Sequence, residues 1–282
     1  MTEPLHRTVA ARTEASRHTH TVAASVSFVT AVTIVIGIHE FSHAVAGTAL
    51  GYGNTLYPFG VTHHPDPTRF DAAAAALTGP VFSLVVGGVA MAWQPLRRRR
   101  GYGQLVWLWF AWASVMEGVG YLLLTPFGVG DTGSTAATYA APLWITGPVG
   151  AIGVLGTIWL ARSFARVLLR HTDGSLTALR SVAFYPWMIG TAVVLGLMAF
   201  YVSRSSNTFG GDEVFGVLLG AFALGVWAPL SIPFTHRVRA REPESVGSAE
   251  LRIDRVPVTG VILLVALVAL NVFVLGPGLA IG

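Results

Sequence analysis

GIHEFSHAVAG, residues 37–47, sets two histidines and a glutamate at the end of a long apolar run. The preceding residues 23–38 are all Ala, Val, Ile, Phe, Gly, Ser or Thr, which is typical of a helix inside a lipid bilayer. Ionisable side chains within a membrane span are costly and usually mark a functional site. This stretch therefore predicts a membrane helix and a functional site within it.

The composition of the whole chain is that of a membrane protein. Its 282 residues are 53% hydrophobic and 11% charged, whereas soluble domains carry about 25% charged residues. Apolar runs predict an all-α, polytopic fold in the lipid bilayer, with about seven transmembrane helices. Their approximate ranges are 22–50, 71–93, 104–126, 142–168, 181–203, 213–234 and 257–280. The chain has no cysteine, which excludes disulfides and thiolate metal ligands.

The basic residues are all arginine, and their distribution predicts the orientation of the chain. Sixteen of the 18 arginines fall in the polar tail or in alternate interhelical segments, and only Arg69 and Arg204 fall on the other side. The positive-inside rule then puts the N-terminus in the cytoplasm and the C-terminus outside a multi-pass cell-membrane protein. Orientation explains the net charge of +4 better than a nucleic-acid partner does, so we expect no nucleic-acid binding.

His39-Glu40-Phe41-Ser42-His43 has the HExxH spacing of zinc metalloproteases. Residues four apart on a helix share one face and lie about 6 Å apart along the axis, so both imidazoles can bind one metal ion. Glu40 follows the first histidine and can take a proton from water at that ion. The motif predicts His39 and His43 as metal ligands, Glu40 as the catalytic base and Zn²⁺ as the cofactor.

A catalytic zinc site also needs a third protein ligand and an open position. Asp131 is favoured, because it follows the third helix at the membrane level of the two histidines. Glu117 lies 14 residues earlier, or roughly 21 Å deeper if that segment is helical throughout. His63 and His64 are the remaining candidates. Glu117 could instead support a ligand, relay a proton or be a protonated structural carboxyl.

Four stretches resemble, in order, the core of the site-2 protease family of intramembrane zinc metalloproteases (peptidase family M50). Their sequences are IHEFSHAVAGTALGYG (38–53), NTLYPFGVTHH (54–64), AALTGPVFSLVVG (75–87) and TPFGVGDTG (125–133). Two departures stand out. Ser83 replaces the family's Asn after the Gly-Pro pair, and Thr132 splits its Asp-Gly pair.

The resemblance implies a three-helix metalloprotease-like core with a short extended segment between helices 1 and 2. Together with the hydropathy and arginine patterns, it divides the chain into a cytoplasmic polar tail (1–21), this core (22–135) and an additional four-helix membrane region (136–282), which the resemblance does not cover. It implies that His39, His43 and Asp131 hold Zn²⁺ and that Glu40 is the base. The substrate it implies is a transmembrane protein whose unwound strand pairs with the extended segment.

Two other classes of function compete with proteolysis. One is a non-proteolytic, metal-binding membrane subunit or regulator that keeps the protease-like fold. The other is a metal-ion transporter or a membrane oxidase. An oxidase would need more histidine clusters, and a transporter would need polar residues in helices 4 to 7, which carry almost none. The sequence therefore favours a zinc-dependent intramembrane endopeptidase.

Overall fold

The fold, seen in a computed structural model that describes residues 3–97, 99–205 and 210–282, is mostly helical. Its helices are α1 (Glu3–Ala49), α2 (Arg69–Ala92), α3 (Tyr102–Leu124), α4 (Gly130–Thr138), α5 (Leu143–His171), α6 (Leu176–Leu179), α7 (Tyr185–Arg204), α8 (Gly211–Ala223), α9 (Trp227–Ser231), α10 (Thr235–Arg241) and α11 (Val258–Leu270). Its strands are β1 (Gly53–Tyr57), β2 (Gly60–His64) and β3 (Leu279–Ile281).

Within the described residues, seven helical spans are long and apolar enough to cross a membrane. They are His18–Ala49, Arg69–Ala92, Tyr102–Thr138, Leu143–His171, Leu176–Arg204, Val214–Arg241 and Val258–Leu275. The protein is therefore a multi-pass membrane protein, and the predicted number of spans is confirmed.

Three boundaries differ from the prediction. The first helix begins at Glu3 rather than at 22, because no Gly or Pro interrupts residues 5–36. The polar segment is thus helical from Glu3 onward. The predicted helix 213–234 breaks after Ala223, where Pro229 cannot donate a backbone hydrogen bond to the preceding turn.

The third boundary is at the last helix, which was predicted to reach 280. A π-helical turn, Asn271–Leu275, ends it, because Pro277 cannot continue a helix and Gly278 adopts a left-handed φ of 91°. The chain then forms β3, which pairs antiparallel with β1.

The predicted extended segment after helix 1 forms two strands of a three-stranded sheet in the order β2-β1-β3. The hairpin pairs Gly53 with His64 and Tyr57 with Gly60, and β3 adds to the other side of β1. Six spans separate β1 from β3, so an even number of crossings returns the chain to the same membrane face. The pairing of β1 with β3 therefore agrees with one span before β1 and six after it.

The arginine-rich segments meet at the opposite face. The Arg252 N–H donates to the Arg100 carbonyl at 2.7 Å, and the Ala249 N–H donates to the Arg170 carbonyl at 2.9 Å. Arg98, one of the four arginines of the 97–100 run, lies outside the described residues. The segments that follow spans 2, 4 and 6 therefore lie together, as the alternating arginine pattern predicts.

The core positions the site through close approach of α2 and α3, which both pack on α1. A Cβ at Gly87 of α2 would lie 2.5 Å from the Val115 backbone nitrogen of α3, and one at Gly118 would lie 2.7 Å from the Pro80 carbonyl oxygen. Small residues at membrane helix interfaces permit such contact. The two backbones bring side chains of α2 and α3 against the HExxH turn of α1.

Candidate metal centre

The two histidines of the HExxH motif face the same point from successive turns of α1. His39 Nε2 and His43 Nε2 lie 3.1 Å apart, and both side chains are buried. The i, i+4 spacing on an uninterrupted helix produces this arrangement, as the sequence predicts.

Asp131 reaches the histidines from the far end of α3. That helix ends at Leu124, a 3-10 turn follows, and Gly128 reverses the chain with a left-handed φ of 70°. The Asp131 carboxylate oxygen Oδ2 then lies 3.0 Å from His39 Nε2 and 3.2 Å from His43 Nε2. The Thr132 hydroxyl donates to the Tyr121 carbonyl oxygen at 2.7 Å, so the residue that splits the Asp-Gly pair ties this turn to α3.

The structure brings His39, His43 and Asp131 into one group whose ligand atoms all lie within 4.8 Å of one another. His43 Nδ1 lies 2.8 Å from the Ala75 carbonyl oxygen, which can only accept, so Nδ1 carries the proton and Nε2 presents a lone pair. Two imidazole nitrogens and one carboxylate oxygen thus converge on one volume. The donor set therefore fits a divalent metal ion with three protein ligands.

Contacts behind the ligands fix the orientation of His39. Its Nδ1 atom lies 3.1 Å from the Ser83 hydroxyl and 3.8 Å from Glu117 Oε1. The Tyr121 ring stacks on the imidazole at a centroid distance of 5.1 Å. Partners of this kind orient a metal-binding histidine and raise its affinity for the ion. Ser83, at the position of the family's Asn, is thus in polar contact with a candidate ligand.

Replacing Ser83 with Ala is expected to weaken metal binding by about 10–100-fold, the usual effect of removing such a partner. The variant removes one hydroxyl from a buried position of α2 and leaves all three ligand atoms in place. Competition with a zinc chelator of known affinity would measure the change. Unaltered affinity would show that the Ser83 hydroxyl does not contribute to the orientation of His39.

Glu117 lies beside the site but is not in the three-residue group. The sequence predicted it to lie far below Asp131, and that prediction is wrong because the chain between them is not one helix. The reversal at Gly128 returns Asp131 to the level of His39, where Glu117 already lies. Its position behind His39 matches the supporting role considered for this residue, and the role itself stays a prediction.

The two remaining candidates for the third ligand lie on β2. His63 donates to Asn54 rather than joining the group, and His64 is exposed at the end of the strand. Neither has a ligand atom in the cluster formed by the described residues.

A cavity of about 660 Å³ opens onto the group. Glu40, which is 9% exposed, lies in its wall together with His43, Glu117 and Asp131. Most of the remaining wall is apolar or small, and it includes Ile36, Phe59, Val61, Ala72, Ala76, Val129, Met198, Gly216, Val217, Gly220, Ala221 and Leu224. The arrangement thus combines a group that could hold a metal ion, a carboxylate beside it and a space within the size range of ligand pockets.

Several site residues could not be identified from the HExxH motif. The Ala75 carbonyl holds His43, Gly79 leaves room for both imidazoles, and Ser83 contacts His39. All three lie in AALTGPVFSLVVG, so the resemblance of that stretch was the available signal.

Comparison of the chain with protein-family models, with curated proteins and with solved structures found no match.

Proposed function

We propose that this protein is an intramembrane zinc metalloprotease of the site-2 protease type. The observation that carries the proposal is the convergence of His39 Nε2, His43 Nε2 and Asp131 Oδ2 at the wall of a cavity that Glu40 also lines. The resemblance of four stretches to that family's core supports the same conclusion. HExxH with a third carboxylate ligand and an open side is the donor set of zinc peptidases.

His39, His43 and Asp131 would hold the metal. A bound zinc ion supplies Lewis-acid chemistry, since it acidifies water and polarises a peptide carbonyl. The Glu40 carboxylate accepts a proton from the attacking water and passes it to the leaving nitrogen. The His43 ring is held in place by donation from Nδ1 to the Ala75 carbonyl, so its Nε2 atom would be available to the metal.

The substrate in this proposal is a transmembrane protein whose helix unwinds locally. A helix hides its carbonyl groups in internal hydrogen bonds, so a cut within it requires an extended segment. The β2 strand contributes Gly60, Val61 and His63 to the cavity wall, and among the described strands it pairs with β1 alone. Its other edge can pair with an extended peptide.

The site would face the outside of the cell in this proposal. His39 and His43 lie in the half of α1 that leads to the sheet, and the arginine-rich segments meet at the opposite face. The positive-inside rule assigns that arginine-rich face to the cytoplasm.

Hydrolysis of extracted membrane proteins tests the function. Purified wild type and the Glu40→Gln variant would each be incubated with the extract, and new N-termini would be mapped by mass spectrometry. We expect new N-termini within apolar segments with wild type only. Identical sets of termini would instead favour a non-proteolytic metal-binding subunit.

A further inference from the structure

Asn54, which is buried, and His63, which is half-buried, form a polar pair at the sheet, outside the group of candidate metal ligands. They are directly opposite in the β1–β2 register, and His63 Nδ1 lies 2.6 Å from Asn54 Oδ1. Asn54 is 3% exposed. A buried amide at the centre of a sheet needs a partner for each of its polar atoms.

The surrounding hydrogen bonds fix the direction of this pair. The Thr48 hydroxyl donates to the Ala44 carbonyl at 3.0 Å, so its oxygen accepts from Asn54 Nδ2 at 2.9 Å. The same Nδ2 donates to the Tyr52 carbonyl at 3.0 Å. Asn54 Oδ1 therefore faces His63, and since Oδ1 can only accept, the proton of a neutral His63 is on Nδ1.

The C-terminal strand and α1 hold the pair in position. Asn54 Nδ2 also lies 3.4 Å from the Ile281 carbonyl oxygen of β3. A Cβ at Gly47 would lie 2.2 Å from Asn54 Oδ1 and 2.7 Å from His63 Nδ1. The helix thus leaves room for the pair only because residue 47 is glycine.

The second ring nitrogen of His63 is left for another partner. Within the described part of the chain, the hydrogen bond of His63 is made by Nδ1, and the side chain lies in the wall of the cavity that holds His43 and Asp131. Burial lowers the pKa of His63. A neutral ring with its proton on Nδ1 presents a lone pair at Nε2.

We propose that His63 is a substrate-contacting residue, oriented by Asn54, and that its Nε2 atom accepts a hydrogen bond from a backbone N–H of the peptide in the cavity. The proposal rests on the proposed function. An unwound segment at membrane depth exposes backbone N–H groups, and an unpartnered one is costly in an apolar cavity. Asn54 is a positioning residue in this account, because it acts through His63.

Two substitutions at position 63 separate the two ring nitrogens. The amide of His63→Asn lies near the position of Nδ1 and keeps the contact with Asn54, but it has nothing at the position of Nε2. The longer His63→Gln side chain reaches the position of Nε2. If His63 only stabilises the hairpin, His63→Asn should resemble the wild type more closely than His63→Gln does. If His63 contacts the substrate, His63→Gln should bind the peptide more tightly than His63→Asn does.

Binding of two hydroxamates to zinc-loaded protein tests the proposal without a turnover assay. Acetohydroxamate reports the metal site alone, and N-acetyl-leucyl-leucine hydroxamate adds peptide N–H groups. We expect His63→Asn to weaken the peptide hydroxamate by about tenfold, the effect of one hydrogen bond. Acetohydroxamate affinity and zinc content should be unchanged, and His63→Gln should retain most of the peptide affinity.

N-methylation of each leucine in turn identifies the donor. Methylation of the N–H that bonds to His63 should weaken binding to the wild type. The same methylation should have little effect on binding to His63→Asn, which already lacks this hydrogen bond. If His63→Asn binds the peptide hydroxamate as tightly as the wild type does, the proposal is overturned and His63 is a structural residue. If zinc-loaded wild type binds neither hydroxamate, the metal-site proposal itself fails, and this one fails with it.

Discussion

Replacing Glu40 with Gln is expected to slow peptide hydrolysis by about 10²–10⁴-fold, the usual contribution of a general base. Glutamine has nearly the same shape but cannot take a proton from water. Glu40 follows the ligand His39 on α1 and lies in the cavity wall with His43 and Asp131. The variant should therefore lose proton transfer and keep its ligands.

The measurement is the single-turnover rate at a peptide bond that the wild type cuts. Zinc content, measured on the same preparation, is the control and should match that of the wild type. A Glu40→Gln protein that holds zinc and cuts at the wild-type rate would show that another group is the base, and Glu117 is the other glutamate in the cavity wall.

Replacing Gly79 with Ala is expected to lower metal affinity by about 100-fold, the effect of a strained, overpacked site, although residue 79 is not a ligand. A Cβ built at this position would lie 2.4 Å from His43 Nε2 and 2.7 Å from His39 Cε1. Two buried imidazoles have little room to give way in a close-packed interior. The methyl group would thus displace the very atoms that should bind the metal.

Gly88→Ala is the matched control, because it adds the same methyl group to the same helix at a position with no atom within 4 Å. Chelator competition on both variants would measure the difference in affinity. Equal affinities would mean that the imidazoles are not held against α2 as the structure has them.

The apolar patterning predicted much of the fold, because membrane helices follow directly from composition and length. The HExxH spacing likewise predicted that His39 and His43 share one face of α1. The β3 strand could not be predicted, since LAI is a short apolar segment that reads equally well as the end of a helix. Its pairing with β1 depends on contacts between residues more than 200 positions apart.

The contacts around the site likewise could not be predicted from local sequence patterns. The position of Glu117 relative to Asp131 depended on where α3 ends, and a continuous helix gave the wrong answer. The chain reverses direction at Gly128, but a single glycine is too common in membrane segments to predict such a reversal. The Asn54–His63 pair depends on the register of two strands and on the packing of Gly47, neither of which has a distinctive sequence pattern.

The central claim is that this chain binds one zinc ion through His39, His43 and Asp131. Elemental analysis of detergent-purified protein, prepared with zinc in excess, tests it most directly. We expect about one zinc per chain in the wild type and in Glu117→Ala, and almost none in His43→Ala and Asp131→Ala, because a three-ligand site rarely survives the loss of one ligand. A wild type without zinc, or an Asp131→Ala protein with a full complement of zinc, would contradict the account.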